Sequence, residues 1–371
     1  QASGPHRFPP QTPLNRNMAT AKKRKKKGNE SWLTRHSLGV MTAVIAIIVA
    51  IGAVFAFAFI PYTGGNDKEG DWIYIPHGAS TAQVRDSLKN SLGSSMGTRI
   101  YIMWKLMGNN PAKTEGAYRM DPGQTALGIA RRMATGRQTP VTVTFNGTRT
   151  MQQLADRIAS QLQCSPEEFM DACAEVLPEH GFRRATYPAA FIPDTYEFYW
   201  SATPENVVKR LLDYRDNFWN EERTKKAKSL GLSKVEVATV ASIIEEETAK
   251  KDERPLVARL YLNRLNKGMR LQADPTVKFA VGDFKLRRIR GEHLRVSSPY
   301  NTYKVEGLPP GPIRVPTASA LDDVLNAPHH NYIYMCAKED FSGYHNFATD
   351  YASHQANARR YQKALNQRNI M

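Results

Sequence analysis

Cysteine is scarce in this sequence, and the few cysteines present follow no metal-binding pattern. The 371 residues include only Cys164, Cys173 and Cys336. Structural zinc sites need ligands at short fixed spacings, and these spacings are missing, so we predict neither a metal site nor a cofactor. Cys164 and Cys173 are candidates for pairing in an oxidising compartment, but the odd count leaves that pairing open.

Charge is missing from one long stretch near the N-terminus. Residues Leu38 to Ile60 contain no charged residue and no Asn, Gln or Pro. As a helix this stretch would span roughly 34 Å, and a bilayer core is about 30 Å thick. A cleaved signal peptide is the alternative, but its apolar part is usually shorter. We therefore predict a transmembrane helix over 38–60.

The positive charge of the chain is concentrated beside this apolar stretch. The formal net charge is +16, and half of it lies within the first 36 residues, which include "KKRKKK". A basic cluster before a membrane helix keeps that end in the cytoplasm, so everything from Pro61 onward is expected to be exported. Because orientation explains the charge, nucleic-acid binding is not predicted. We expect a disordered basic cytoplasmic arm over 1–37 and a linker over 61–70.

Strand and helix patterns after the linker indicate a small first module. Alternation in "DWIYI", then a Gly-Ala-Ser-Thr turn and an amphipathic run, predict a strand followed by a helix. "GTRIYIMWKLMG" predicts a second helix, "KTEGAYRMDPG" a strand and turn, and "TALGIARRMATG" a third helix. These elements predict a βααβ-type module over 71–139.

The remaining residues, 140–371, predict a mixed α+β domain. "PVTVTFNG" is typical of a strand, and helices are predicted at "TMQQLADRIASQL" and "SPEEFMDACAEV". An aromatic, proline-containing loop follows, and we interpret its aromatic side chains as packing rather than ligand contacts: Tyr196, Phe198, Tyr199 and Trp200. Two further helices are predicted, one from the N-cap Ser233 to Lys250 and one capped by Asp252 and ending at Gly268.

Three consecutive glutamates near the end of the Ser233 helix raise the question of a catalytic acid. Charge runs normally mark solvated surface. On a helix, however, Glu247 lies over Ile244, Ile243 and Val240, the most apolar of the three stripes. Burial raises a carboxyl pKa, and a general acid needs a proton near neutral pH. Glu247 is therefore the candidate, by a modest margin over Glu246.

The segments after this helix supply further candidates for a site. We expect Gln272 and Asp274 in a loop ahead of Pro275. "SSPYNTYKVEGLPPGPI" predicts a rigid loop with too little apolar content for a core, either a carbohydrate groove or a purely structural loop. "GYHNFATDYASH" adds His345 and His354, each of which alone is more often structural than catalytic.

At these residues the sequence resembles a family, the membrane-bound endolytic murein transglycosylases (MltG or YceG-like). The resemblance lies in "ASIIEEETA", "LNRL", "GMRLQADPTV", "PYNTY", "GLPPGPI" and "YHNF…SH", in the order of the family. It implies that Glu247 is the catalytic acid and that the 71–139 module is LysM-like. Glu246 departs from the family pattern, where a basic residue can occur, and would raise the pKa of Glu247 unless it is screened or faces solvent.

The resemblance also implies an activity and its surroundings. The fold expected is α+β, with one transmembrane helix, a LysM-like βααβ module and a catalytic domain over 140–371. The enzyme would cleave the β-1,4 bond between N-acetylmuramic acid and N-acetylglucosamine, leave a 1,6-anhydro end and terminate glycan elongation. Partners would be peptidoglycan strands, the cytoplasmic (inner) membrane and peptidoglycan synthases, with the domain periplasmic in a Gram-negative cell.

Within this expectation the site residues have separate parts. The residues expected to position sugars or orient Glu247 are Gln272, Asp274, Tyr300, Asn301 and Tyr303. Asn263, in "LNRL", and His345 are expected to support the site. Two other functions stay open: a membrane-anchored, non-catalytic peptidoglycan-binding or scaffold protein, and a hydrolase that uses water.

Overall fold

The computed structural model describes residues 32–64, 70–108, 110–286 and 288–368. The predicted basic arm lies almost wholly outside this part of the chain, as does half of the predicted linker. The first helix, α1 (Trp32–Phe59), contains an apolar segment from Ser37 to Phe59 with mean hydropathy 2.8. By length and composition it is able to cross a membrane, in agreement with the predicted span to within one residue at each end.

The first module after α1 is built on a two-stranded antiparallel sheet. Strand β1 (Asp71–Ile75) pairs with β2 (Gly116–Met120), so that Ile73 lies opposite Tyr118. The helices of this module are α2 (Thr81–Leu106), α3 (Pro111–Thr114) and α4 (Ala126–Ala134). Helix α2 bends at Gly93, whose φ of 77° is left-handed, and its two halves are the two helices predicted. The module has its own hydrophobic cluster, which includes Ile73, Trp104 and Tyr118.

A second antiparallel pair opens the larger domain. Strand β3 (Val141–Thr144) pairs with β4 (Thr195–Phe198). The sequence analysis placed β4 in an aromatic loop, which was wrong, because Tyr196 and Phe198 alternate with exposed residues as in a half-buried strand. The packing role predicted for the aromatics is confirmed for these two, which are 4% and 6% exposed, whereas Tyr199 is 55% exposed.

Helices surround this sheet and form most of the core. They are α5 (Met151–Ala159), α6 (Pro166–Glu179), a 3-10 helix (Arg184–Ala190), α7 (Pro204–Phe218), α8 (Glu221–Ser229), α9 (Lys234–Glu247), α10 (Arg254–Asn266), α11 (Asp274–Val281), α12 (Gly291–Leu294), α13 (Ala318–Leu325) and α14 (Tyr351–Gln367). Helix α9 is central, since every residue from Val237 to Ile244 is buried. A hairpin of β5 (Tyr334–Ala337) and β6 (His345–Ala348), which the sequence analysis did not predict, lies near the C-terminus.

Two helix ends differ from the prediction in ways that shape the site. Helix α9 ends at Glu247 rather than Lys250, because Thr248 turns to an extended backbone and caps Ile244 with its N–H. The prediction that Asp252 caps α10 was wrong. The N-cap position belongs to Glu253, and the Asp252 carboxylate accepts a hydrogen bond from Tyr344 at 2.9 Å instead.

The proline-rich loop over 297–313 is partly core, which corrects the expectation that it has too little apolar content for a core. Asn301, Thr302 and Ile313 have at most 2% of their surface exposed. Gly311 explains part of "GLPPGPI", since a Cβ there would lie 2.0 Å from the carbonyl oxygen of Ala185. The loop is therefore held against the 3-10 helix by a contact that only glycine permits.

The three cysteines are free thiols in this fold. Cys164 and Cys173 are buried and Cys336 is partly buried. Burial raises the pKa of the Cys173 thiol to about 12. These thiols therefore act as small apolar side chains at neutral pH.

Candidate active site

The three glutamates at the end of α9 occupy three different environments. Burial does not separate them, since the side chains of Glu245 and Glu246 are only 5% and 15% exposed and Glu247 is also partly buried. What separates them is the set of groups that each carboxylate meets.

Glu245 is held by a loop and by two arginines. Its carboxylate accepts hydrogen bonds from the backbone N–H of Thr317 at 3.1 Å and from its hydroxyl at 2.9 Å. Arg314 lies 3.6 Å away and Arg254 3.9 Å away. This carboxylate therefore anchors α9 to the start of α13 and has no free oxygen to offer a ligand.

Glu246 is neutralised by two arginines, of which Arg314 also lies near Glu245. Arg149 donates to both of its oxygens at 3.0 Å, and Arg314 donates to Oε1 at 2.8 Å. A bidentate arginine pair is a strong, orienting contact. The sequence analysis asked whether Glu246 is unscreened or faces solvent. Glu246 is neither unscreened nor directed to solvent, because Arg149 and Arg314 pair with its carboxylate inside the fold.

Glu247 faces a cavity instead of an arginine. Its one hydrogen bond among the described residues comes from the Tyr261 hydroxyl, which donates to Oε2 at 3.0 Å. Tyr261 lies on α10, 14 residues beyond Glu247 in the chain. The other carboxyl oxygen, Oε1, has no hydrogen-bond partner among the described residues.

Burial raises the pKa of Glu247 to about 7. The negative charge of Asp274 adds to this, while the Tyr261 hydrogen bond and the charges of His345 and Lys278 act in the opposite direction. The C-terminal end of α9 also disfavours a negative charge at this position. The raised pKa expected from the sequence is confirmed, so the carboxyl group of Glu247 keeps its proton to a higher pH than an exposed glutamate does.

The cavity in front of Glu247 has a volume of about 340 Å³. Residues from seven segments of the chain line it: Glu247, Leu260, Tyr261, Arg264, Leu271, Gln272, Asp274, Tyr303, Met335, Cys336, Ala337, His345 and His354. Most of its polar groups come from helices α10 and α11 and from the β5–β6 hairpin. No cluster of three metal-ligating side chains occurs among the described residues.

Gln272 and Asp274 both reach the cavity. Asp274 is the first residue of α11 rather than part of a loop, because Pro275 starts that helix. Gln272 has a φ of 51°, which is uncommon for a residue other than glycine. Its backbone N–H bonds Thr302 and its side-chain oxygen accepts from Arg264 at 3.3 Å, so two contacts hold this conformation.

The "PYNTY" residues have three different positions. Tyr303 lines the cavity and donates a hydrogen bond to Asp274 at 2.7 Å. Asn301 is fully buried, and its amide group bonds the carbonyls of Leu294 and Val296 and the Tyr303 N–H. Tyr300 packs on Phe279, with ring centroids 4.7 Å apart. Only Tyr303 of the three lines the cavity, and Asn301 supports it from behind.

His345 and Asn263 contribute to the site in different ways. His345 lines the cavity and is bound to Glu253, which is 3% exposed. Burial opposes the charged imidazole, but the hydrogen bond and charge of Glu253, together with Glu247, raise the pKa of His345. Asn263 donates to the carbonyls of His330 and Tyr332 at 2.7 and 3.0 Å, which fixes the chain leading into β5.

Several residues of this site were missed by the sequence analysis. Tyr261 and Arg264 lie one turn apart on α10, and both face the cavity. Arg264 donates to the carbonyls of Leu271 and Ile333 at 2.7 Å each. Their spacing placed them on one face of a helix, but nothing in the sequence showed that this face meets Glu247.

Comparison with known proteins identifies the family. The sequence model of the YceG-like family matches residues 73–360, and the chain belongs to that family. A protein of Bacillus subtilis (strain 168) named endolytic murein transglycosylase is 29% identical over 297 residues, which is 72% of this chain and 79% of that protein. A protein of the same name from Streptococcus pneumoniae serotype 2 is 25% identical, and the match covers 79% of this chain but 60% of the longer pneumococcal protein.

A solved structure agrees with the fold. The crystal structure of a putative YceG-like protein from Listeria monocytogenes superposes with a TM-score of 0.52 at 25% sequence identity. The match covers 78% of this chain and 99% of that one.

Proposed function

We propose that this protein is an endolytic lytic transglycosylase of peptidoglycan. It cleaves the β-1,4 bond between N-acetylmuramic acid and N-acetylglucosamine and leaves a 1,6-anhydro end. The observation that carries this proposal is the carboxyl group of Glu247, which faces a polar cavity with a pKa of about 7. The names of the relatives support the choice of substrate.

In the first step Glu247 acts as a general acid. Tyr261 donates to Oε2, so the proton of the neutral carboxyl group is carried by Oε1 on the cavity side. Glu247 gives this proton to the glycosidic oxygen while the bond from that oxygen to the anomeric carbon breaks. The anomeric carbon takes on oxocarbenium character, as in other glycoside cleavages.

In the second step the same group acts as a general base. The C6 hydroxyl of the muramic acid residue attacks the anomeric carbon, and the Glu247 carboxylate accepts its proton. One bond to oxygen breaks and one forms, no water is consumed, and Glu247 regains the proton it gave. A single carboxyl group is sufficient because the nucleophile belongs to the substrate.

The other cavity residues position the sugar and adjust Glu247. Asp274, held by Tyr303, keeps the acid protonated through its negative charge. Gln272 and Tyr303 line the cavity with groups that bond sugar hydroxyls. His345 supports the carboxylate formed after the first step, and Asn263, Asn301 and Tyr300 hold the segments that carry the lining residues.

One observation favours a second candidate, a hydrolase of the same bond. Asp274 is a second carboxylate on the cavity wall. Glycosidases that use water flank the bond with two carboxyl groups, one of which activates the water. Such an enzyme would leave a reducing end in place of the anhydro end.

Location and modules follow from the same proposal. The α1 segment anchors the protein in the cytoplasmic (inner) membrane with its N-terminus inside, and residues from 61 onward are exported. The 71–139 module is LysM-like and binds glycan, and 140–371 is the catalytic domain. Acting on nascent strands, near the peptidoglycan synthases that make them, the enzyme terminates their elongation.

The test is product analysis with isolated sacculi and the full chain in detergent. We expect the wild type to release anhydro-muropeptides and Glu247→Gln to release almost none. The control is Glu175→Gln, the same change at an exposed position on α6. Anhydro products at the wild-type rate from Glu247→Gln would overturn the assignment, reducing ends from the wild type would favour the hydrolase, and binding without release would indicate a scaffold.

A further inference from the structure

A strongly basic loop connects two segments that reach the active-site cavity. This basic loop, residues 282–299, has five Lys/Arg and two Asp/Glu, an excess of three positive charges. The chain outside the N-terminal arm has an excess of only eight over 335 residues. Positive charge is therefore denser here than the average over the chain outside the N-terminal arm.

The basic side chains of this loop point to solvent. Lys285, Arg288, Arg290 and Arg295 are all exposed. Among the described residues none of the four forms an ion pair with an acidic side chain. The two acids of the loop, Asp283 and Glu292, are occupied with the Lys285 backbone and with His293. The four cations are thus available to an external anion.

The segments on either side of the basic loop are bonded to each other at the cavity wall. The first end of the loop follows α11, which begins at the cavity residue Asp274, and its second end leads to Tyr303, which bonds Asp274 at 2.7 Å. The fully buried Thr302 and Thr276 share a hydrogen bond of 2.8 Å, and the Ala273 N–H donates to Thr302 at 3.0 Å. The segments before and after the basic loop, which carry Asp274 and Tyr303, therefore form part of the cavity wall.

The loop is held by hydrogen bonds from the residues that follow it and by a ring contact. The amide of Asn301 bonds the carbonyls of Leu294 and Val296 at 3.0 and 2.8 Å, and Lys304 bonds the carbonyl of Arg295. The Phe284 ring packs near Phe279, with centroids 6.3 Å apart. These contacts hold the return half of the loop in place although its cations have no acidic partners.

We infer that the basic loop binds the peptide carboxylates carried by the glycan strand whose sugars enter the cavity. This inference rests on the proposed function. Murein sugars carry short peptides, and their carboxylates are anionic at neutral pH. The exposed cations of a loop that connects two segments of the cavity wall complement these groups and select peptide-bearing over bare glycan. Since the contacts are exposed, salt weakens them.

The experiment compares two charge-matched variants of the full chain in detergent. The loop variant carries Lys285→Gln, Arg288→Gln, Arg290→Gln and Arg295→Gln. The control carries Lys209→Gln, Arg210→Gln, Lys225→Gln and Lys228→Gln, all exposed positions on α7 and α8. Each is assayed on intact sacculi and on sacculi from which an amidase has removed the peptides.

On intact sacculi the loop variant should raise KM about three- to tenfold with little change in kcat, the size expected when two or three exposed ion pairs are lost. On peptide-free glycan the loop variant, the control and the wild type should be alike. Added salt should shrink the difference on intact sacculi. An unchanged KM on intact sacculi, or an equal loss on both substrates, would overturn the inference.

A pelleting assay separates binding from cleavage. Glu247→Gln, with and without the four loop substitutions, is sedimented with each substrate, so binding is measured even if peptide-free glycan is not cleaved. The substitutions should reduce pelleting with intact sacculi only. If they leave sacculus binding unchanged, the inference is wrong. Failure of the proposed catalysis would appear separately, as product formation by Glu247→Gln.

Discussion

Glu253 accepts two hydrogen bonds from His345, one from the backbone N–H at 2.7 Å and one from ring Nδ1 at 2.8 Å. The pair joins the start of α10 to strand β6 and fixes the imidazole ring. Nε2 of His345 has no hydrogen-bond partner among the described residues, and the ring lines the cavity that Glu247 faces. A charge on this ring acts directly on the candidate acid.

Removing the His345 charge should raise the pKa of Glu247. In His345→Gln we expect the alkaline limb of the pH profile of kcat/KM to move to higher pH, because a cation that stabilised the carboxylate is gone. The same shift is expected in Glu253→Gln, which loses the partner that keeps the ring charged. The profile is measured from pH 5 to 9, with the exposed His329→Gln as control. A lower rate with an unmoved limb would mean that the pair is only structural.

Asp274→Asn should act in the opposite direction. The charge of Asp274 raises the pKa of Glu247, so its removal should move the alkaline limb down by about one pH unit. At pH 8 less of the acid is then protonated, and the rate falls further below that of the wild type than it does at pH 6. A limb that stays in place would show that Asp274 does not act on Glu247.

Tyr261→Phe removes the hydrogen bond to Glu247. Because this bond favours the carboxylate, the alkaline limb should move to higher pH. The loss of one hydrogen bond should also lower the free energy of unfolding by about 1 kcal/mol. Denaturant unfolding and the pH profile measure the two effects, and Tyr351→Phe, at an exposed site on α14, is the control. Unchanged behaviour in both assays would remove Tyr261 from the site.

The stability of the protein should depend on Glu247 in a defined pH range. The carboxyl group has a pKa near 4.5 in the unfolded chain and about 7 in the folded protein. Between these values the folded state binds more protons, so its stability falls as pH rises. Glu247→Gln removes this dependence, and at pH 8 it should be more stable than the wild type by up to about 3 kcal/mol. At pH 4 the two should be alike, and a constant difference across this range would contradict the prediction.

Glu246→Gln should destabilise the fold without moving the pH profile. Arg149 and Arg314 would lose the carboxylate that pairs with both, at a cost of about 1–3 kcal/mol. Because those arginines already screen Glu246, the alkaline limb set by Glu247 should stay in place. Unfolding midpoints and kcat/KM profiles on the same protein check both statements, and a shifted limb would show that the screening is incomplete.

Much of the fold was predictable because its signals are local. The capping boxes at Ser165 and Ser233, the alternation in β1 and the apolar length of α1 each depend on neighbours within a few residues. Strand β4 was missed because aromatic residues and prolines hide its alternation. The β5–β6 hairpin was missed because its strands are short. The buried Thr302 was also missed, because the polar composition of its loop did not indicate burial.

The sequence by itself determined that one helix ends in three acids, that the third lies nearest large apolar neighbours, and that a segment of membrane-spanning length lies near the N-terminus. Only the tertiary structure decided which acid is free. Arg149 and Arg314, which come from distant segments, neutralise Glu246, and Thr317 binds Glu245. Helices α10 and α11 and the β5–β6 hairpin instead line a cavity in front of Glu247, and Tyr261 donates a hydrogen bond to its carboxylate. The physical reason is that desolvation and pairing depend on groups 14 to 100 residues away in the chain, which no local pattern in the sequence specifies.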